Sequence, residues 1–226
     1  MLAIVDYGVG NLFSLRSSFA AIGVDACVTS DPETLRRAER IVLPGVGAFG
    51  DAARKLRDAR LDRVLKEEAG KGKPLLGICL GMQLLFEKSY EYGEHPGLGL
   101  LRGSVRPIAD VIPAGLKIPH IGWNALRIGR PESPLIRYTR EGEFVYFVHS
   151  FYAADCPDSV VAVAEYGADL TAAVQKENVC GCQFHPEKSG DAGLRILRAF
   201  CEMQSFPVKT GLPESEGKDN DSASGN

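Results

Sequence analysis

Two short stretches, about a hundred residues apart, carry the side chains able to do covalent chemistry. In Gly77-Ile78-Cys79-Leu80-Gly81 a thiol stands where an apolar run of strand character passes directly into one of helical character that continues to Phe86. Glycine on both sides suits a turn so tight that a side chain there would crowd the backbone pushing the middle residue outward. A helix starting at Leu80 sets its partial positive end beside the sulfur, a setting that favours thiolate. In Phe184-His185-Pro186-Glu187 the proline presses His185 toward an extended backbone, in which residues i and i+2 project to the same side. His185 and Glu187 thus become a base and its orienter. Near Cys79 the imidazole can take the thiol proton, while the carboxylate fixes its tautomer and stabilises the imidazolium. Alone, the cysteine reads equally well as a small apolar residue ending a buried strand, and the His-Pro-Glu as a surface turn. Together they read as a Cys-His-Glu triad.

The elements that must position this triad follow an α/β pattern. Residues 2–6 predict a strand, 12–22 a helix closed by Gly23, 24–29 a second strand, Asp31-Pro32 the start of a short helix, and 40–43 a third strand ending at Pro44. The glycine loop at residues 7–11 invites a dinucleotide reading, but Phe13 stands where a third glycine is needed. Gly45-Val46-Gly47-Ala48-Phe49-Gly50 does match G-x-G-x-x-G. The next strand, however, ends at Cys79 instead of an acidic residue that could hold a ribose. The nucleotide reading is rejected; the loop is read as a source of backbone N–H groups for an oxyanion beside the nucleophile, against the plainer reading of a glycine turn. Residues 49–69 predict two helical pieces, with the apolar phase slipping near Arg57-Asp58. Short β segments follow at 101–108, 126–128, 144–149, 160–166 and 171–176, an antiparallel extension of the same domain. A strand at 179–184 and a helix at 191–203 close it. Residues 1–206 are expected to form one domain, and the polar, acidic residues 207–226 a disordered tail.

Composition narrows the function. With 226 residues, 45% of them hydrophobic, the chain can bury one sizeable core. A formal net charge of -3 without a basic block argues against nucleic acid as a partner. No apolar run approaches membrane-spanning length, and Asp6 comes too early for a signal peptide, so a cytoplasmic protein is expected. The six cysteines are scattered without a C-x-x-C pair, which predicts thiols rather than a disulfide framework. Cys180-Gly181-Cys182 lacks the second pair that a metal site would need, and neither metal nor cofactor is expected.

Pro44-Gly45-Val46-Gly47, Gly77-Ile78-Cys79-Leu80-Gly81-Met82-Gln83 and His185-Pro186-Glu187-Lys188-Ser189 resemble the class I glutamine amidotransferase family. Within it, Asp6-Tyr7-Gly8-Val9-Gly10-Asn11, Pro119-His120-Ile121-Gly122-Trp123-Asn124 and Tyr146-Phe147-Val148-His149-Ser150-Phe151 are similar to the glutaminase subunits of imidazole glycerol phosphate synthases. The resemblance runs from Leu2 to about Met203. It implies a flavodoxin-like fold, a central mostly parallel sheet flanked by helices with a smaller antiparallel extension. It implies attack by Cys79 on the side-chain amide of glutamine, proton transfer by His185 oriented by Glu187, and an oxyanion hole from the N–H groups of Leu80 and, after a local flip, Val46. Gly47, Gln83 and Ser150 would hold the glutamine. Ammonia would pass into a (β/α)₈-barrel cyclase partner, met through Asn11, Trp123 and Lys188. Phe151 stands where the narrower family frequently has tyrosine, which leaves a backbone contact intact and puts any hydroxyl role in doubt. Trp123, flanked by Gly122 and Asn124 in a turn-like setting, is expected at a partner surface. Two other readings stay open, a glutaminase serving a different synthase and an α/β module with Cys79 as a redox sensor; the sensor would have no use for His185-Pro186-Glu187.

Overall fold

The computed structural model describes residues 1–206; the predicted tail lies outside the described residues. In chain order the elements are β1 (Leu2–Val5), α1 (Leu12–Ala21), β2 (Ala26–Thr29), α2 (Pro32–Arg37), β3 (Arg40–Gly45), α3 (Phe49–Asp58), α4 (Leu61–Gly70), β4 (Leu75–Cys79) and α5 (Leu80–Leu84). They continue with β5 (Phe86–Ser89), β6 (His95–Pro96), β7 (Leu101–Pro107), β8 (His120–Ile128), β9 (Phe144–His149), β10 (Phe151–Ala154), β11 (Val160–Glu165), β12 (Asp169–Lys176), β13 (Val179–Cys182) and α6 (Gly190–Cys201).

Nine strands form one sheet in the order β2-β1-β3-β4-β13-β12-β11-β8-β9. From β2 to β13 every neighbour is parallel, and from β13 to β9 every neighbour is antiparallel. The parallel strands read as continuous apolar runs because both faces are covered. Leu2 and Ile4 of β1 and Val42 of β3 pack with Leu15 and Phe19 of α1 and Ile196 and Phe200 of α6. Their alternates Ala3, Val5, Ile41 and Leu43 pack with Leu35, Leu56 and Leu65 from α2, α3 and α4 on the other face. The strand order turns back between β1 and β3, and open α/β sheets offer a crevice at such a point, beyond the carboxyl ends of the strands. Gly45 ends β3 at that point, Cys79 ends β4 beside it, and His185 follows closely on β13.

Several elements differ from the sequence expectation for identifiable reasons. The break between the two helical pieces falls at Ala59-Arg60, where Arg60 takes φ 57°, two residues after the phase slip. The helix at the nucleophile stops at Leu84, and Phe86 opens β5 in a second, four-stranded sheet of order β10-β7-β5-β6. Within that sheet β5 and β7 run parallel, so the extension is not antiparallel throughout. β8 begins at His120, six residues before the predicted strand, since Ile121 and Trp123 on its outer face are exposed and hide the alternation. Trp123 therefore lies on a strand, not in a turn.

Candidate active site

The geometry of the turn at Cys79 explains both glycines. Cys79 adopts φ 54° and ψ −115°, a left-handed conformation that lifts it between β4 and α5. A Cβ on Gly81 would lie 1.8 Å from the Leu43 carbonyl oxygen, and one on Gly77 would lie 2.6 Å from Met82 Cα, so backbone occupies both spaces. In the β3–β4 register Gly45 stands opposite Cys79. The residues that follow this pair, Val46 and Leu80, line the same cavity as the nucleophile. Gly45 is held tightly: its own Cβ would meet the Tyr7 hydroxyl at 2.7 Å and the Gly81 nitrogen at 2.9 Å. That hydroxyl donates to the Pro44 carbonyl at 2.8 Å, and burial, together with the nearby Cys79, pushes the Tyr7 phenol far above its ordinary range. No local pattern announces this anchor, because Tyr7 and Pro44 are far apart along the chain.

His185 and Glu187 are joined as their spacing predicts. His185 Nδ1 lies 2.8 Å from Glu187 Oε1, and both side chains are only 4% exposed. The other ring nitrogen, Nε2, is buried without a hydrogen-bond partner, while the Cys79 sulfur is close enough to act on the ring. Burial is the largest single influence on His185 and lowers it; Cys79 and Glu187 outweigh burial and raise it to about 9. An imidazole raised so far keeps its proton at neutral pH, where it can protonate a leaving nitrogen. The remaining thiols are held differently. All six cysteines are free, and burial pushes Cys156, Cys180 and Cys182 up. Among the described residues no group of three or more metal-ligating side chains occurs.

Cys79 and His185 open into a cavity of about 380 Å³, which Val46, Gly47, Leu80, Gln83, Ser150 and Lys188 also line. Every residue expected to hold substrate or oxyanion is therefore at one cavity. Gly47 takes φ 97°, a backbone that L side chains rarely adopt. Gln83 is buried, and its Nε2 donates to the Phe151 carbonyl at 3.1 Å and to Gln183 Oε1 at 2.9 Å. Gln183 in turn points its Nε2 at Cys79 Sγ, 3.7 Å away. Glu91 also lines the cavity, and one of its carboxylate oxygens accepts the Phe49 N–H at 2.6 Å at the start of α3. Burial raises the Glu91 carboxyl above its usual range. Neither Gln183 nor Glu91 stands out in the motifs; an unpaired glutamine inside an apolar strand was the one available signal for the first.

The three expected interface residues are all on the surface. Asn11 caps α1 by accepting the Ser14 N–H at 3.4 Å. Trp123 is 55% exposed and pairs across β8–β9 with Tyr146, ring centroids 6.1 Å apart. Lys188 sets its Nζ 5.7 Å from the centroid of the same Tyr146 ring. Trp123 and Lys188 accordingly share one aromatic support, Tyr146, which opens the quoted Tyr146–Phe151 stretch but was not itself expected in the site.

Comparison with known proteins agrees with this geometry. Residues 3–203 match the family model described as glutamine amidotransferase class-I. A protein of Caldanaerobacter subterraneus described as imidazole glycerol phosphate synthase subunit HisH is 48% identical over 204 residues, 90% of this chain and 98% of its own. The protein of that name from Wolinella succinogenes is 47% identical, covering 90% of this chain and 100% of its own, and one from Bacillus cereus is 51% identical, covering 88% and 93%. Among solved structures, one described as PurLQS from Thermotoga maritima superposes with a TM-score of 0.69 at 22% identity, covering 88% of this chain and 96% of that one. Another, described as a glutamine amidotransferase, gives 0.68 at 20% identity, covering 88% and 98%. At those identities the structures speak for the fold, which is that of the class I glutamine amidotransferases. The nucleophile elbow, the buried His-Glu pair and the sequence matches together place this chain in the class I glutamine amidotransferase family, among the HisH subunits of imidazole glycerol phosphate synthase.

Proposed function

We propose that the chain is the glutaminase subunit of an imidazole glycerol phosphate synthase. The observation that carries this reading is Cys79 at φ 54° on its elbow, sharing one cavity with a His185 whose Nδ1 is committed to Glu187. Cys79 Sγ attacks the side-chain amide carbon of glutamine, and the carbonyl oxygen becomes an oxyanion. The N–H of Leu80 receives it, joined by the N–H of Val46 once the peptide before Val46 has turned. His185 protonates the departing nitrogen, ammonia leaves, and the γ-glutamyl thioester remains on Cys79. Water, activated by the now neutral His185, hydrolyses the thioester to glutamate. Glu187 keeps the imidazole in the required tautomer throughout.

The rest of the cavity suits the substrate. The Glu91 carboxylate complements an α-ammonium group, and the chain around Gly47 and Ser150 offers backbone groups to the other end of the amino acid. The ammonia then passes to a (β/α)₈-barrel cyclase subunit, which uses it to make imidazole glycerol phosphate and an aminoimidazole carboxamide ribonucleotide in histidine biosynthesis. Exposed Trp123 and Asn11, with Lys188 at the cavity, support docking of that subunit here. The test is glutamate release from glutamine by the purified chain, alone and then with the cyclase subunit and its ribonucleotide ligand. Strong stimulation only in the full mixture is expected. Brisk turnover indifferent to the cyclase would leave the triad in place and move the assignment to a glutaminase of another synthase.

A further inference from the structure

Gln183 is the most completely buried polar side chain beside the nucleophile, 0% exposed, and the steps above leave it without a role. A buried amide must place its donor and acceptor ends on suitable partners. Which end faces the sulfur follows from a backbone group. The Phe151 carbonyl can only accept, so the Gln83 atom 3.1 Å from it is the NH2. His149 fixes the same carbonyl from another side, its Nδ1 donating at 2.8 Å. The Gln83 NH2 also lies 2.9 Å from Gln183, whose facing atom must then be the carbonyl oxygen. What remains of Gln183 is its NH2, and that group is 3.7 Å from Cys79 Sγ.

We infer that Gln183 is a catalytic residue that donates an N–H···S hydrogen bond to the attacking Cys79 sulfur, with Gln83 and the Phe151 carbonyl as the positioning groups that forbid the reverse orientation. An NH2 accepts no S–H, so the contact serves sulfur as an acceptor, and serves it best when charged. It also restrains the sulfur from the side of β13, leaving the cavity side open for the amide carbon. The inference rests on the glutaminase reading for its place in the reaction, and on the hydrogen-bond geometry alone for its existence. Gln83 thereby acquires a second role, since besides lining the substrate cavity it sets the orientation of Gln183.

Two variants separate this role from a merely structural one. Gln183→Glu keeps a carboxyl oxygen available to Gln83 but replaces the donor on sulfur by an acceptor. Gln183→Met keeps the volume and removes both ends. Alkylation of Cys79 by iodoacetamide, kcat and KM for glutamine with the cyclase present, and the melting transition are measured for each. Both variants are expected to slow alkylation and lower kcat about 10- to 100-fold, with KM changed far less. A Gln183→Glu protein that alkylates and turns over within twofold of the unsubstituted chain would overturn the proposal, because only the bond to Gln83 would then matter. Should both variants melt early, the unsubstituted chain supplies the test by NMR: the Gln183 side-chain amide protons should shift between it and Cys79→Ala, and coincident resonances would overturn the proposal. Alkylation needs no glutamine, so a chain that fails to turn glutamine over at all refutes the glutaminase reading while leaving the hydrogen bond separately measurable.

Discussion

Replacing Glu187 by glutamine tests the triad at its most exposed assumption. In the folded chain His185 is raised from 6.5 to about 9, although burial alone would lower it. A shift of that size corresponds to about 3 kcal/mol, or roughly 300-fold in the equilibrium between imidazolium and imidazole. Cys79 and Glu187 share it, and the Glu187 bond is 2.8 Å long between side chains 4% exposed. Glutamine at position 187 is isosteric but neutral, and its NH2 can face Nδ1, imposing the tautomer with the proton on Nε2. Both effects disarm the base. Glutamine turnover in the presence of the cyclase should fall roughly 10²- to 10³-fold with little change in KM. The stability consequence has a definite sign. A histidine whose folded value is raised contributes stability fully below the unfolded value of 6.5, and that contribution fades as pH rises through about 9. Glu187→Gln should therefore melt well below the unsubstituted protein at pH 6 and approach it at pH 10. Turnover within threefold of normal, or a melting deficit that grows with pH, would refute the reasoning.

Gly81→Ala should not yield a folded, active protein, because its Cβ would stand 1.8 Å from the Leu43 carbonyl oxygen in paired backbone; circular dichroism and melting decide it, with at least about 3 kcal/mol of destabilisation expected. Tyr7→Phe leaves the buried Pro44 carbonyl without its 2.8 Å donor, and should cost about 1–2 kcal/mol of unfolding free energy by denaturant titration. Trp123→Ala should weaken cyclase binding at least about tenfold by calorimetry, while iodoacetamide alkylation of Cys79 stays unchanged; equal affinity would remove Trp123 from the interface. His149, lowered to about 3 chiefly by burial, should show no NMR titration between pH 8 and 5, and a midpoint near 6.5 would contradict its placement.

The parts of the site readable from sequence are those whose geometry is local. The elbow needs only two glycines around a thiol at a strand-to-helix junction, and the His-Glu contact needs only a proline between them, so residue types at fixed offsets suffice. The parallel strands were legible because burial on both faces makes them uniformly apolar. What escaped depends on contacts across the chain. The Tyr7–Pro44 anchor spans 37 positions and the Gln83–Gln183 bond 100, and no periodicity announces either. The first six residues of β8, before the predicted 126–128, escaped for another reason: Ile121 and Trp123 put apolar side chains on a solvent face, contrary to the alternation by which a half-buried strand is recognised. Exposed apolar side chains such as Ile121 and Trp123, which hid the start of the strand, are also what a docking surface presents.

Two histidines sit within electrostatic reach of one another here, and the fold drives them apart. His185 is raised to about 9 beside a carboxylate and a sulfur, while His149 is lowered to about 3 by burial, with the charges of His120 and His185 adding to the effect. Separation of this kind fits the proposed division of labour, in which the group that holds its proton is the acid and the other is a neutral structural donor. His149 can serve in that way because its tautomer is determined. Its Nδ1 donates to the Phe151 carbonyl, so Nε2 must accept, and His120 Nδ1 supplies the proton at 3.0 Å. The Phe151 carbonyl is thereby the junction of two chains of hydrogen bonds, one through His149 to His120, the other through Gln83 and Gln183 to the sulfur. A backbone carbonyl in that place is indifferent to the side chain it belongs to. Phenylalanine at position 151 consequently leaves every bond of both chains standing, because each ends on its backbone carbonyl.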